Sequence, residues 1–300
     1  MRGYLELVRP ANVATALADV LAGFAIAGLF NWPALPWLLV STACLYAGGI
    51  VFNDMFDRRL DAIERPERPI PSGRVPAGRA AWFGAALLAA GVLAASLVTR
   101  EAAIVAGLIV VFVLLYDAWG KHVMFIGPLN MGLCRGLNLV LGMTARPEVI
   151  DQSWPLALIP VTYIAAVTAL SRGEVAGGKR PVAILALALL TSVLFGLLFV
   201  AGGGVLPWEP DELSARVPVD LSIPAVVLTF VLAWRVLPSF WRAVGDPRPQ
   251  TIRVAIRTGV LSLVLLDAVF AAAYAGMIYS LAVLATALLA GWLARQFAVT

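Results

Sequence analysis

Apolar runs of helical length recur along the whole chain, separated by short segments that carry charge, proline or glycine. A helix needs about 20 apolar residues to cross ~30 Å of hydrocarbon. Runs close to that length fall at 11–30, 36–54, 80–99, 102–119, 125–144, 154–171, 181–201, 221–237, 256–275 and 278–294. The pattern predicts an all-α, polytopic membrane bundle of ten spans, or nine if the last two form one helix. Only Gly276 and Met277 divide those two, yet a single helix over both would be nearly twice as long as the hydrocarbon is thick. A tight turn near Gly276 is therefore expected. No stretch between the runs has room for a separate soluble domain, so residues 1–300 read as one transmembrane domain.

Composition agrees with the pattern. With 61% hydrophobic and 13% charged residues and a mean hydropathy of +0.90, the chain has too much apolar surface for one water-soluble core. Charge then sets orientation, because Lys and Arg stay on the cytoplasmic side. One side of the ten-span layout takes eighteen basic residues, and the other takes only Arg100, Arg146 and Arg216. This layout is the reason for preferring ten spans, since it keeps Arg295 with the majority. The expectation is an integral, multi-pass protein of a bacterial inner (plasma) membrane. The net charge of +4 follows from this topology, and no nucleic-acid recognition module is present.

The remaining features add less. Cys44 and Cys134 fall within spans and read as packing residues. Met1 to Arg9 lacks a cleavage signature, so the first apolar run reads as a retained helix. Residues 202–220 carry Glu209, Asp211, Glu212 and Asp220 and read as an acidic extracytoplasmic loop. Trp32, Trp37, Trp154, Trp208 and Trp241 near span ends fit an interfacial belt.

The candidate chemistry sits where the second run ends, in Asn53-Asp54-Met55-Phe56-Asp57-Arg58-Arg59-Leu60-Asp61. If the helix continues through Asp61, then Asn53, Asp54, Asp57 and Asp61 lie within an arc of about 100° on one face. Three like charges there repel, and a hard divalent cation is the economical compensator because carboxylate oxygens bind Mg²⁺, which in turn holds phosphate. The next segment, Arg65-Pro66-Glu67-Arg68-Pro69-Ile70-Pro71-Ser72-Gly73-Arg74, is a proline-stiffened loop. Its Arg68 and Arg74 are candidate phosphate contacts through their planar forks. A basic loop at a membrane face is more often a topology marker. The adjacent carboxylates favour a metal-diphosphate site on the cytoplasmic face instead.

Asn-Asp-x-x-Asp-x-x-x-Asp followed by Arg-Pro-x-Arg-Pro-x-Pro-Ser-Gly-Arg resembles the UbiA superfamily of intramembrane prenyltransferases. The likeness extends to Arg9-Pro10 and to the segment from Tyr116 to Lys121. Within the superfamily, Tyr116-Asp117-Ala118-Trp119-Gly120-Lys121-His122 with Gly127 to Asn138 is similar to the EboC-like branch. The resemblance implies Mg²⁺-dependent transfer of a prenyl group from a prenyl diphosphate to a lipophilic acceptor, within a helical bundle open to the bilayer. It carries Asn53, Asp54, Asp57 and Asp61 over as the first metal motif. Lys121 carries over as a pyrophosphate contact and Tyr116 as a wall or cation-stabilising residue. His122, beside Lys121, reads as an interfacial polar residue and not as a base.

The family's second motif, Asp-x-x-x-Asp after the sixth span, is altered here. Glu174 stands for the first aspartate as a metal ligand, Gly178 stands at the second, and Lys179 or Arg180 offers replacement charge. Two readings follow. One is a transferase with fewer metal ligands, and the other is a protein that binds an isoprenoid diphosphate without turning it over.

Arg135 lies inside the fifth run, where an unpaired guanidinium costs several kcal/mol. It should face the interior, with Asp19 and Asp267 as possible partners, either as a buried packing pair or as part of an acceptor site. Asn12 could bond an acceptor or simply start a helix. The same charges admit a secondary transporter, but no inverted repeat stands out. The Asp-Gly-x-x-Ala-Arg signature of CDP-alcohol phosphotransferases is absent, since Met55, Phe56 and Arg58 occupy its places. The Arg242 to Arg257 loop is a candidate cover over the site.

Overall fold

The structure, a computed structural model, describes residues 2–174, 177–203 and 222–296. Most of the acidic 202–220 segment, with Glu209, Asp211, Glu212, Asp220 and Trp208, lies outside the described residues. Among the described residues all regular structure is helical. The α-helices are α1 (Arg2–Val8), α2 (Pro10–Ile26), α3 (Leu35–Phe56), α4 (Arg58–Glu64), α5 (Ala77–Ser96), α6 (Arg100–Ala118), α7 (Ile126–Met143), α8 (Ile150–Ser153), α9 (Leu158–Ser171), α10 (Arg180–Ala201), α11 (Ile223–Gly245) and α12 (Pro249–Gln296). Seven described helices are long and apolar enough to cross a membrane, and α2 is a shorter apolar helix. The protein is an integral, multi-pass membrane protein.

Several boundaries differ from the hydropathy pattern for identifiable reasons. The run 11–30 stops being helix at Ile26, because Gly28 (φ 74°), Leu29 (φ 54°) and Asn31 (φ 60°) turn left-handed, which a right-handed helix does not accommodate. The run 154–171 begins with a 3₁₀ turn over Trp154–Ala157, and α9 follows from Leu158. The run 221–237 extends to Gly245, carrying Pro238 inside the helix. Pro238 keeps its own carbonyl occupied by the Arg242 Nε, 3.1 Å away.

The turn near Gly276 is present. Gly276 has φ 81° and ψ 174°, outside helical geometry. The Ser280 hydroxyl donates to the Ala268 carbonyl at 2.9 Å, although 12 residues separate them. Along a straight helix those atoms would stand about 18 Å apart. The chain therefore doubles back, and α12 is two helices in a hairpin.

The interior is built by close helix approach. A Cβ on Gly23 of α2 would overlap the Leu139 carbonyl oxygen, and one on Gly142 of α7 would overlap that of Val20. Small residues here let the two backbones touch, the usual device for helix packing where hydrocarbon surrounds the bundle. Phe24, Tyr163, Phe240 and Phe270 are fully buried, and the Tyr163 hydroxyl donates to the Gly259 carbonyl at 2.8 Å. A smaller apolar cluster of Leu7, Val51, Ile70, Val75 and Ala80 joins α1, the end of α3 and the proline loop. That second cluster anchors the loop beside the carboxylates.

Candidate active site

The carboxylate face forms nearly as the sequence predicts. α3 ends at Phe56 and α4 resumes at Arg58, with Asp57 between them at φ −82° and ψ −1°. Backbone bonds nevertheless run Asp57 N–H to the Asn53 carbonyl at 2.9 Å and Asp61 N–H to the Asp57 carbonyl at 2.8 Å. Asn53, Asp57 and Asp61 thus occupy successive turns of one face.

Each carboxylate of this face has a protein cation beside it. Arg9 Nη2 donates to Asp54 Oδ1 at 2.5 Å, and Lys121 Nζ donates to Asp57 Oδ1 at 2.5 Å. Arg68 Nη1 reaches Asp61 Oδ2 at 2.7 Å and Asp54 Oδ1 at 3.4 Å. Arg9 sits in the left-handed region (φ 46°) between α1 and α2, an uncommon setting for a residue with a Cβ, and this aims it across the end of α3. Arg68 is buried because its loop wraps it: the Ser72 N–H and hydroxyl both donate to the Arg68 carbonyl, at 3.0 and 2.7 Å. Arg74 is directed elsewhere. It pairs with Glu6 of α1 and donates to the Glu67 carbonyl at 2.6 Å.

Beside this charged patch, α3, α6 and α7 enclose a cavity of about 120 Å³ whose walls include Tyr46, Asn53, Tyr116, Asp117, Arg135 and Asn138. Its deep end is polar. Arg135 Nη1 stands 2.8 Å from Asp19 Oδ2, and its guanidinium lies over the Tyr46 ring at 5.7 Å from the centroid. Asn138 donates to Asp19 at 2.8 Å and accepts from the Thr42 hydroxyl at 2.6 Å. Arg135 therefore faces inward with Asp19 as partner, and Asp267 is fully buried beside them.

The altered second motif lies on the connection from α9 to α10. The Glu174 backbone carbonyl accepts from Arg253 Nε at 3.3 Å, and the Gly178 N–H donates to the Pro247 carbonyl at 2.8 Å. A Cβ on Gly178 would come within 2.6 Å of Ile252 Cδ1, so the α12 side chain packs directly against this glycine. Arg172 Nη2 donates to the Lys121 and Val123 carbonyls at 3.1 and 2.6 Å, which ties the end of α9 to the turn carrying Lys121. Lys179 is exposed and borders a separate groove between α7, α9 and α10. Among the described residues, no three His, Cys, Asp or Glu side chains converge closely enough to hold a metal ion.

The sequence profile of the UbiA prenyltransferase family matches residues 16–210. The chain belongs to the UbiA prenyltransferase family. It is 37% identical over 153 residues to the digeranylgeranylglyceryl phosphate synthase of Methanopyrus kandleri, covering 50% of this chain and 56% of that protein. It is 35% identical over 153 residues to the enzyme of the same name from Methanothermobacter thermautotrophicus, covering 50% and 53%. The chain thus spans about half the length of the curated relatives it matches. Among solved structures, one described as digeranylgeranylglyceryl phosphate synthase in membranes aligns with a TM-score of 0.67 at 18% identity, covering 92% of this chain and 98% of that one. A UbiA homologue from Archaeoglobus fulgidus bound to GPP and Mg²⁺ aligns with a TM-score of 0.60 at 16% identity, covering 94% and 99%. These two share the fold.

Against this UbiA background, Asp117 is the site residue that sequence reasoning passed over. It is 3% exposed, lines the cavity, and its Oδ2 has no hydrogen-bond partner. Its position one residue after Tyr116, at the end of an apolar run, was the available signal, since carboxylates at such depth are expensive. With Asp54, Asp57 and Asp61 it makes four carboxylates, against the three cations Arg9, Arg68 and Lys121. The three α3 carboxylates are ion-paired and do not converge on one point, but the orphaned Asp117 oxygen is a hard donor of the kind a divalent cation such as Mg²⁺ takes.

Proposed function

We propose that this UbiA-family protein transfers a prenyl group from a prenyl diphosphate to a lipophilic acceptor within the bilayer. In this reading residues 1–300 form one domain of ten spans in a bacterial inner membrane, with the site on the cytoplasmic side. The segment from Tyr116 to Asn138 supports the EboC-like branch. The observation that carries the reading is the juxtaposition of a mostly apolar-walled cavity with the patch of Arg9, Arg68 and Lys121 among carboxylates. A molecule with a polyanionic head and an isoprenoid tail matches both halves.

Chemically, the allylic C–O bond breaks, pyrophosphate leaves with the electron pair, and the allylic carbon becomes cationic. A nucleophilic carbon or oxygen of the acceptor then bonds to that carbon and loses a proton. Asn53, Asp54, Asp57 and Asp61 would hold Mg²⁺, which when bound would supply positive charge near the departing pyrophosphate. Lys121 and Arg68 bind its oxygens, and Asp57 and Asp61 hold those cations in place beforehand, so little reorganisation is needed. Tyr116 bounds the reacting end of the cavity, where an aromatic face favours a cation. The apolar walls keep out water that would capture the carbocation. Arg135 and Asn138, at the far end, offer hydrogen bonds to a polar group of the acceptor.

One observation favours the second reading, binding without turnover: the second motif has glycine at position 178, with Ile252 Cδ1 packed where a Cβ would begin, so it is one carboxylate short. Incubation of the purified protein with Mg²⁺ and labelled prenyl diphosphates separates the two. Release of pyrophosphate that disappears in Asp57→Ala supports transfer. Tight binding without release supports the carrier, and electrogenic flux in liposomes would support a transporter.

A further inference from the structure

We infer that Asp117, from the end of α6, supplies the cation-holding carboxylate that the second motif lacks. This rests on the metal-dependent reading above and deepens it. Gly178 has no carboxyl group, and the Ile252 side chain packs against it. Glu174 belongs to a connection tied by its backbone to Arg253. Asp117 instead lines the same cavity as Asn53, so it faces the space beside the α3 motif from a different helix.

Its surroundings leave it available. Asp117 is 3% exposed and Oδ2 has no hydrogen-bond donor, which is an expensive arrangement for an ionised oxygen unless a cation is to sit there. Lys121, one turn further along the chain, is already committed to Asp57 at 2.5 Å. An oxygen that is buried, unpartnered and on a cavity wall with a second hard donor suits Mg²⁺ or Mn²⁺. The competing role is electrostatic positioning of Lys121, without contact to metal.

The test uses the full-length protein in detergent, Mn²⁺ as the spectroscopic probe and inorganic pyrophosphate as the anion. Free Mn²⁺ is counted by its electron paramagnetic resonance signal. Wild type is expected to bind Mn²⁺ in the presence of pyrophosphate, and Asp117→Asn to bind it at least tenfold more weakly with an unchanged melting temperature. Asp117→Glu should retain part of the affinity, which guards against a folding defect in the Asn variant. Pyrophosphate affinity in EDTA should be the same for wild type and Asp117→Asn. Equal Mn²⁺ affinity in the two proteins overturns the inference while leaving the transferase reading intact. Loss of pyrophosphate affinity in EDTA also overturns it, because Asp117 would then act through Lys121. Absence of Mn²⁺ binding by wild type removes the reading on which the inference stands.

Discussion

Lys121 Nζ stands 2.5 Å from Asp57 Oδ1, joining the turn after α6 to the junction of α3 and α4 across 64 residues of chain. The pair brings the two segments that resemble UbiA motifs into one place, and their neighbours Asn53, Tyr116 and Asp117 line the cavity. Neither residue is fully buried, with side-chain exposures of 13% and 26%, so both remain within reach of a bound anion.

Replacing Lys121 by Met should lower pyrophosphate release by about 10²–10³, the scale for removing one preorganised charge contact to a leaving group. Lys121→Arg should keep part of the activity, because it preserves the charge while changing the geometry. Single-turnover release of labelled pyrophosphate measures both.

Arg68 and Arg74 should separate in stability. Arg68→Ala leaves Asp61 without its buried partner and Asp54 with Arg9 alone, and should cost about 3–5 kcal/mol. Arg74 is exposed and pairs with Glu6 near the surface, so Arg74→Ala should cost about 0–1 kcal/mol. Thermal unfolding in detergent gives the order, and equal melting temperatures would contradict the buried role of Arg68.

Restoring the missing aspartate should not by itself restore a motif. Gly178→Asp forces a Cβ to within 2.6 Å of Ile252 Cδ1 and should lower the melting temperature. Combining it with Ile252→Val, which removes only the Cδ1 methyl that the new Cβ meets, should recover part of the loss. A double variant no more stable than Gly178→Asp alone would show that the steric conflict lies elsewhere.

Between α11 and α12, Asp246 accepts two hydrogen bonds at 2.8 Å from Arg248 Nε, one to each oxygen, and this contact holds its carboxyl below the usual value of 3.8. A carboxylate with a depressed pKa contributes stability that is present above the unfolded value and is lost as pH falls through the folded one. The melting-temperature difference between wild type and Asp246→Asn should therefore be constant near neutrality and close as pH drops below 3.8. The pair is exposed, so added salt should shrink the difference at all pH values.

Much of the helical layout was legible because its cause is local. Where hydrocarbon surrounds the chain, backbone polar groups must pair within their own segment, so apolar length alone marks helices such as Leu35–Phe56 and Arg180–Ala201. Helix ends were less legible. Whether a run stops at Ile26 or passes through Pro238 depends on backbone torsions and neighbouring packing that composition does not encode.

The sequence by itself determined that carboxylates crowd one face at the end of α3, that an arginine-bearing proline loop follows, and that Arg135 must point inward, because charge in an apolar run has few tolerable settings. Only the tertiary structure decided which cation serves which carboxylate: Arg9 for Asp54, Arg68 for Asp61 and Lys121 for Asp57, with Arg74 turned toward Glu6. It alone brought Asp117 to the cavity without a donor and set Ile252 against Gly178. Those pairings join residues up to 74 positions apart in the chain, and helix packing fixes which side chains meet across such distances, not the spacing along any one segment.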